Sequence, residues 1–131
     1  MLIKIRSIMS GIYLLLLIIL LTELAYSQSE PPSNLEATVK NKVVMLSWKA
    51  PEGTQKVTYN IYRAETMNSG KSIDPTKLEF KKVSTVTEPA YEDKDAASGK
   101  VYIYYVVTMD SKGMESAGSN YINVRIGDTN G

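Results

Sequence analysis

The chain has 131 residues, of which 15 are basic and 14 acidic, and it contains neither cysteine nor histidine. This length accommodates one domain with a core of its own. The two missing residue types exclude disulfides, thiol nucleophiles and the usual zinc and general-base side chains, so packing alone must hold the fold.

The N-terminal stretch has the layout of a secretory signal peptide. Lys4 and Arg6 precede the apolar run IYLLLLIILL at 12–21, and Ala25-Tyr26-Ser27 follows as a small-x-small cleavage site. The apolar run is about half of the roughly 20 residues that span a bilayer. We assign residues 1–27 to a cleaved signal peptide, which places the protein outside the cell or at its surface. The alternative is an uncleaved N-terminal membrane anchor.

Cleavage would leave a chain without net charge. Lys4, Arg6 and Glu23 lie in the signal peptide, so 13 basic and 13 acidic residues remain of the 15 and 14 in the whole chain. Such a balance provides no basic surface for nucleic acid or for anionic membrane, and nucleic acid is not an expected partner.

After a proline-rich linker at 28–33 (QSEPPS), apolar and polar residues alternate with the period of half-buried strands. Turn-forming residues separate the runs, and the long span 64–78 is predicted to be a loop. Short strands of this kind are typical of an all-β sandwich. The seven predicted strands lie at 35–39, 44–48, 59–63, 80–86, 90–93, 102–109 and 122–126, and residues 127–131 form a C-terminal tail.

Several short motifs occur along these strands in a fixed order. They are PxNLxA at 32–37, VxLSWxxP at 44–51, YNIYR at 59–63, FxxV at 80–83, YxD at 91–93, YxYxV at 102–106 and DxxGxESxxS at 110–119.

Taken together, these motifs resemble a fibronectin type III domain. The resemblance implies a seven-stranded immunoglobulin-like sandwich at 34–126, in which strands one, two and five face strands three, four, six and seven. The turn that carries an integrin-binding Arg-Gly-Asp sequence in some members reads Asp-Ser-Lys-Gly at 110–113, so integrin binding is not carried over.

Two aromatic residues are predicted to be structural. Trp48 lies on the apolar side of its strand and is the largest side chain available to fill the core. Tyr102 follows a turn at the start of the sixth strand, as the tyrosine corner of such sandwiches does. Its hydroxyl is therefore expected to bond to a backbone group near residues 96–98.

The sixth strand, YIYYVVTM at 102–109, is apolar on both faces. If Tyr102 points inward, alternation turns the other set outward, beside outward residues of the third and seventh strands. One interpretation is that these residues only stabilise neighbouring strands as cross-strand pairs. The other is an exposed patch that binds a protein or glycan. The candidate contact residues are Tyr62, Ile103, Tyr105, Val107, Tyr121 and Arg125.

Two further surfaces compete with this patch. The loops at 51–56 and 110–114 lie where sandwich folds often place recognition. The acidic cluster Glu92-Asp93-Lys94-Asp95 could hold calcium through its oxygens, but Lys94 in its middle favours a solvated turn instead. No cofactor, metal site or catalytic residue is predicted.

These observations indicate a non-catalytic secreted module that acts by binding, adhesion or spacing. Its partner would be an extracellular protein or polysaccharide, or a second copy of the chain in a weak homodimer formed through the patch. The alternative is an accessory module detached from a larger extracellular enzyme, such as a glycoside hydrolase or protease.

We predict that the exported protein begins at Gln28, because the cleavage site ends at Ser27. Mass spectrometry of the exported chain should give the mass of residues 28–131, with or without cyclisation of the terminal glutamine. Recovery of the full chain in the membrane fraction would instead show an anchor.

Overall fold

A computed structural model describes residues 28–53, 56–67 and 72–127, so the predicted signal peptide and most of the predicted tail lie outside the described residues. No helix among the described residues is both long and apolar enough to cross a membrane. The described elements are β1 (Ser33–Lys40), β2 (Val43–Lys49), β3 (Thr58–Thr66), a 3₁₀ turn (Pro75–Lys77), β4 (Lys81–Val86), β5 (Ala90–Asp93), β6 (Val101–Met109) and β7 (Ile122–Arg125).

The described strands form two sheets that pack face to face. One has the order β1-β2-β5 and the other β4-β3-β6-β7, and all neighbouring strands are antiparallel. The prediction of an all-β, two-sheet sandwich is therefore confirmed. At the β1–β2 turn, Asn41 and Lys42 have φ of 52° and 64°, a left-handed pair that matches the twist of the flanking strands.

Strand limits differ from the predictions by one to three residues at several places. β1 begins at Ser33, inside the predicted linker, and β3 continues to Thr66, into the span predicted to be a loop. β4 begins at Lys81 rather than at Phe80. Phe80 leaves the strand because its ring packs over the outer face of the four-stranded sheet, as described below.

The core lies between the two sheets and is built from buried residues of β1, β2, β3, β6 and β7, with partly buried residues of β4 and β5 packed against it. Trp48 is only 6% exposed, and its ring meets that of Tyr59 edge to face at 5.3 Å between centroids. Aromatic pairs in this geometry add to the stabilisation from buried area. The buried cluster comprises Leu35, Val44, Leu46, Trp48, Tyr59, Ile61, Ala96, Tyr102, Tyr104, Val106, Val124 and Ile126.

Tyr102 occupies the corner that its sequence position indicates. Its buried hydroxyl accepts a hydrogen bond from the backbone N–H of Ala97 at 2.9 Å, within the expected segment. The guanidinium of Arg63 lies over the ring at 5.0 Å from its centroid. Tyr102 thus ties the loop before β6 to the core.

A buried charge joins the two sheets. Asp93, at the end of β5, is only 1% exposed, so its assignment to a solvated turn was wrong. Its Oδ2 accepts from Arg63 Nη1 of β3 and from the Tyr104 hydroxyl of β6, each at 2.7 Å, and its Oδ1 accepts from the Asp95 N–H at 3.1 Å. Burial, with the bond to Asp93, raises the pKa of Tyr104. These donors replace the water that the carboxylate loses.

A side-chain amide closes the sandwich at the opposite edge. Asn34 has φ of 53° at an irregularity in the β1 register between Ser33 and Glu36. Next to it, Asn120 Oδ1 accepts from the Leu35 N–H at 2.9 Å, and Asn120 Nδ2 donates to the Leu35 carbonyl at 3.0 Å. The amide therefore replaces a ladder partner and links β1 to the segment before β7.

We expect Trp48→Ala to lower the free energy of unfolding by about 3–5 kcal/mol, because it empties the centre of the core. Tyr102→Phe should cost roughly 1–3 kcal/mol, since the Ala97 N–H loses its acceptor. Urea melts of the two variants and the parent measure the ranking. A Trp48→Ala melt like that of the parent would contradict the sandwich core.

Arg63→Met should destabilise the domain by about 3 kcal/mol, because it leaves Asp93 buried without its cation. The matched control is Lys100→Met, which removes the exposed ion pair with Glu65 (2.9 Å) and should leave the urea melt nearly unchanged. Equal effects of the two substitutions would show that the buried pair has no special role.

Candidate functional site

Four aromatic rings meet on the outer face of the four-stranded sheet. Tyr62 of β3 pairs with Tyr105 of β6, and their rings stack at 4.9 Å with 8° between planes. The ring of Phe80 meets that of Tyr105 edge to face at 4.9 Å between centroids. The ring of Tyr121 also meets that of Tyr105 edge to face, at 5.6 Å. Phe80 and Tyr121 are 5.8 Å apart. We call these four residues the aromatic cluster.

The cluster brings together the three predicted contact tyrosines and adds Phe80, which sequence reasoning had placed in the fourth strand. Burial raises the pKa of Tyr105, with Tyr121 and Glu115 contributing. Tyr62 and Tyr105 are partly buried, whereas Tyr121 is 48% exposed. Most of the ring surface is thus used within the cluster rather than offered to solvent.

Ile103 and Val107 had been predicted to lie on a solvent face. That prediction was wrong, because the two residues are only 3% and 4% exposed. Alternation does turn them away from the core, but the outer face of β6 is covered. Phe80 reaches across it, and a Cβ on Gly118 would lie 3.1 Å from the Tyr105 ring, so the chain after β6 also lies close over this face. Neither residue is available to a partner.

The motif DxxGxESxxS shapes the chain after β6. Asp110 Oδ1 accepts from the N–H groups of Lys112 and Met114, both at 2.9 Å. Gly113 has φ of 80°, a left-handed conformation that glycine adopts without a Cβ penalty. The turn ends where Met109 and Glu115 form an antiparallel bridge, which returns the chain alongside β6.

Two serines then hold this returning chain against the edge of β6. The N–H groups of Ser116 and Ser119 donate to the carbonyls of Thr108 and Val106, each at 2.8 Å. Their hydroxyls accept from the N–H groups of the same two residues, at 2.9 and 3.0 Å. Each hydroxyl accepts a hydrogen bond as a carbonyl would in a regular ladder. The backbone groups of Val106 and Thr108 are therefore hydrogen-bonded although β7 begins only at residue 122.

This arrangement carries Glu115 onto the outer face, a residue that was not among the predicted contacts. One carboxylate oxygen accepts from Asn60 Nδ2 at 2.7 Å and from the Tyr62 hydroxyl at 2.6 Å. Asn60 is buried, and its amide oxygen accepts from the Thr85 hydroxyl at 2.6 Å. The only sequence signal for this role was the position of Glu115 inside the DxxGxESxxS motif.

The residues predicted to be a linker pack on the domain. Gln28 Nε2 donates to the Glu115 carbonyl at 2.6 Å, and the Thr108 hydroxyl donates to the Glu30 carbonyl at 2.9 Å. Pro32 is buried. The lead-in therefore docks beside β6, next to the same Glu115 that contacts Tyr62.

The exposed part of the outer face lies along β7. Tyr121 directly precedes this strand, and Asn123 and Arg125 follow at alternate positions, both exposed. We call these three residues the β7 row. Of the six predicted contacts, the structure leaves Tyr121 and Arg125 most accessible.

The two competing surfaces have different outcomes. The loop at 51–56 contains residues 54 and 55, which lie outside the described residues. The acidic cluster does not gather at one point, since Asp93 faces the core while Glu92 lies near Lys94 at 3.9 Å. No three histidine, cysteine or acidic side chains within the described ranges are placed to hold a metal ion.

Two antiparallel sheets in this order define an immunoglobulin-like sandwich, and the solved structures specify its type. The Fn3-like protein from Clostridium thermocellum has a TM-score of 0.58 and 24% identity, covering 80% of this chain and all of that one. The FN5 domain of Drosophila Lar has a TM-score of 0.55 and 21% identity, covering 74% and 95%. The chain has the fibronectin type III fold.

Comparisons of sequence point to segments of large enzymes. An amylopullulanase of Thermoanaerobacter thermohydrosulfuricus is 37% identical over 93 residues, which are 71% of this chain and 6% of the enzyme. An amylopullulanase of Thermoanaerobacterium thermosulfurigenes is 35% identical over 91 residues, 70% of this chain and 4% of that enzyme. The chain thus spans only a small part of these relatives. No family model matches it.

Tyr62 should titrate with a pKa of about 12, because burial and then the bond to Glu115 both oppose loss of its proton. The raised value means that this contribution to stability is complete below the ordinary pKa of 10 and is lost as pH rises through 12. Tyrosine-ring NMR shifts against pH would follow it. Glu115→Gln should lower the midpoint, and an unchanged midpoint would contradict the contact.

Proposed function

We propose that the chain is an exported, non-catalytic accessory module of extracellular polysaccharide breakdown, which acts by contact or spacing. The observation that carries this proposal is its 37% identity to a segment that makes up only 6% of an amylopullulanase. A segment of that size is a module within the enzyme, and this chain resembles the module rather than the whole. The signal-peptide layout of residues 1–27, with cleavage after Ser27, supports export.

The geometry supports contact rather than chemistry. The carboxylate of Glu115 lies on the outer face, and its Oε1 already accepts two hydrogen bonds, from Asn60 and Tyr62. In the exported chain, the docked lead-in would hold the new N-terminus at Gln28 against the domain. A stand-alone adhesion module with a protein partner is the second candidate, favoured by the exposed ring of Tyr121.

Immobilised residues 28–131 would be incubated with secreted proteins and polysaccharides of the source organism. We expect capture of α-glucan or of a glycoside hydrolase identified by mass spectrometry, and no release of reducing sugar from pullulan or amylopectin. Beads that carry the Trp48→Ala variant, in which the fold should be weakened, control for non-specific capture. Hydrolysis that Glu115→Gln abolishes, or capture of neither class, would overturn the proposal.

A further inference from the structure

We propose that the β7 row (Tyr121, Asn123 and Arg125) is a binding site for a neutral α-glucan chain. This inference rests on the proposed function and names its ligand and residues. The aromatic cluster as a whole is not the site, because its other rings are turned onto one another and the outward residues Ile103 and Val107 of β6 are buried.

Tyr121 provides a stacking surface that is already held in place. It is the one large aromatic side chain among the exposed hydrophobic residues in the described ranges, at 48%. The rings of Tyr105 and Phe80 contact it at 5.6 and 5.8 Å, at interplanar angles of 76° and 34°. A ring fixed by two neighbours loses little conformational freedom on binding, which favours affinity. Its exposed side can pack on the apolar face of a sugar ring.

Asn123 and Arg125 continue the same row with hydrogen-bonding groups. Alternate residues of a strand project from one face about 7 Å apart, so ring, amide and guanidinium stand in line. The amide both donates and accepts, and the guanidinium donates in a planar fork, which suits pairs of neighbouring hydroxyls. Arg125 takes part in none of the salt bridges found among the described residues.

The composition of the row favours a glycan over the other classes of partner. A stable protein interface buries about 800 Å² on each side around an apolar centre, whereas this row exposes one ring beside two polar side chains. Nucleic acid would require a cationic surface, and Arg125 is the one charge in the row. A neutral glycan needs one stacking ring and nearby hydrogen-bonding groups, which the row supplies. The amylopullulanase relatives narrow this glycan to an α-glucan.

A ¹⁵N NMR titration of residues 28–131 with maltoheptaose tests the site, because it detects weak binding and shows which residues the ligand affects. We expect shift changes centred on residues 121–125. Tyr121→Ala should weaken binding at least tenfold, and Arg125→Ala about threefold, whereas Tyr121→Phe should stay within twofold because the ring remains. Met45→Ala, an exposed apolar residue on the other sheet, is the matched surface control. The dispersion of each spectrum reports whether the variant is folded.

Shift changes at the 110–114 loop instead of the row, or a Tyr121→Ala variant that binds like the parent while folded, would overturn the site. Binding of polygalacturonate without binding of maltoheptaose would overturn the ligand class. If no glycan binds but the immobilised domain captures a glycoside hydrolase, the inference fails while the accessory function stands. If no glycan binds and the immobilised domain captures neither α-glucan nor a glycoside hydrolase, both the glucan site and the accessory function are overturned.

Discussion

The buried carboxylate of Asp93 is the constraint to which the two sheets must conform. It sits at the end of one sheet, while its cation and its hydroxyl donor come from two adjacent strands of the other. Hydrophobic contacts between sheets tolerate sliding, but a desolvated charge with directional partners does not. The chain has no cysteine and therefore no disulfide. The contacts of Asp93 fix the two sheets relative to each other, as a disulfide does in many small exported domains.

The sixth strand shows why a sequence can be apolar on both sides without exposing an interface. Its inner residues build the main core, and its outer residues lie under Phe80 and the chain that returns along the strand. The sandwich therefore has a second, smaller apolar layer outside the four-stranded sheet. That layer leaves one ring, Tyr121, at its rim, and polar side chains continue from it along the edge strand.

Alternation and spacing in the sequence were enough to place the strands and the inward side of Trp48, because these depend on local period, and the resemblance to fibronectin type III domains placed Tyr102 at its corner. They were not enough to find the burial of Ile103, Val107 or Asp93. Each of those depends on a segment remote in the sequence that crosses a face or supplies a counter-charge. Glu115 was missed for the same reason, since its partner Tyr62 lies 53 positions away. The aromatic grouping itself was predictable, but its inward packing was not.

The amide of Asn120 gives the domain a mechanical property. The chain enters at β1 and leaves after β7, and Asn120 bonds both backbone groups of Leu35 across the gap between the sheets. Tension applied along the chain would therefore load this pair in parallel with the β1–β2 ladder, so β1 could not be peeled away bond by bond until the amide had yielded. A domain loaded through its two ends would therefore resist extension at its first strand through a side chain rather than through a disulfide.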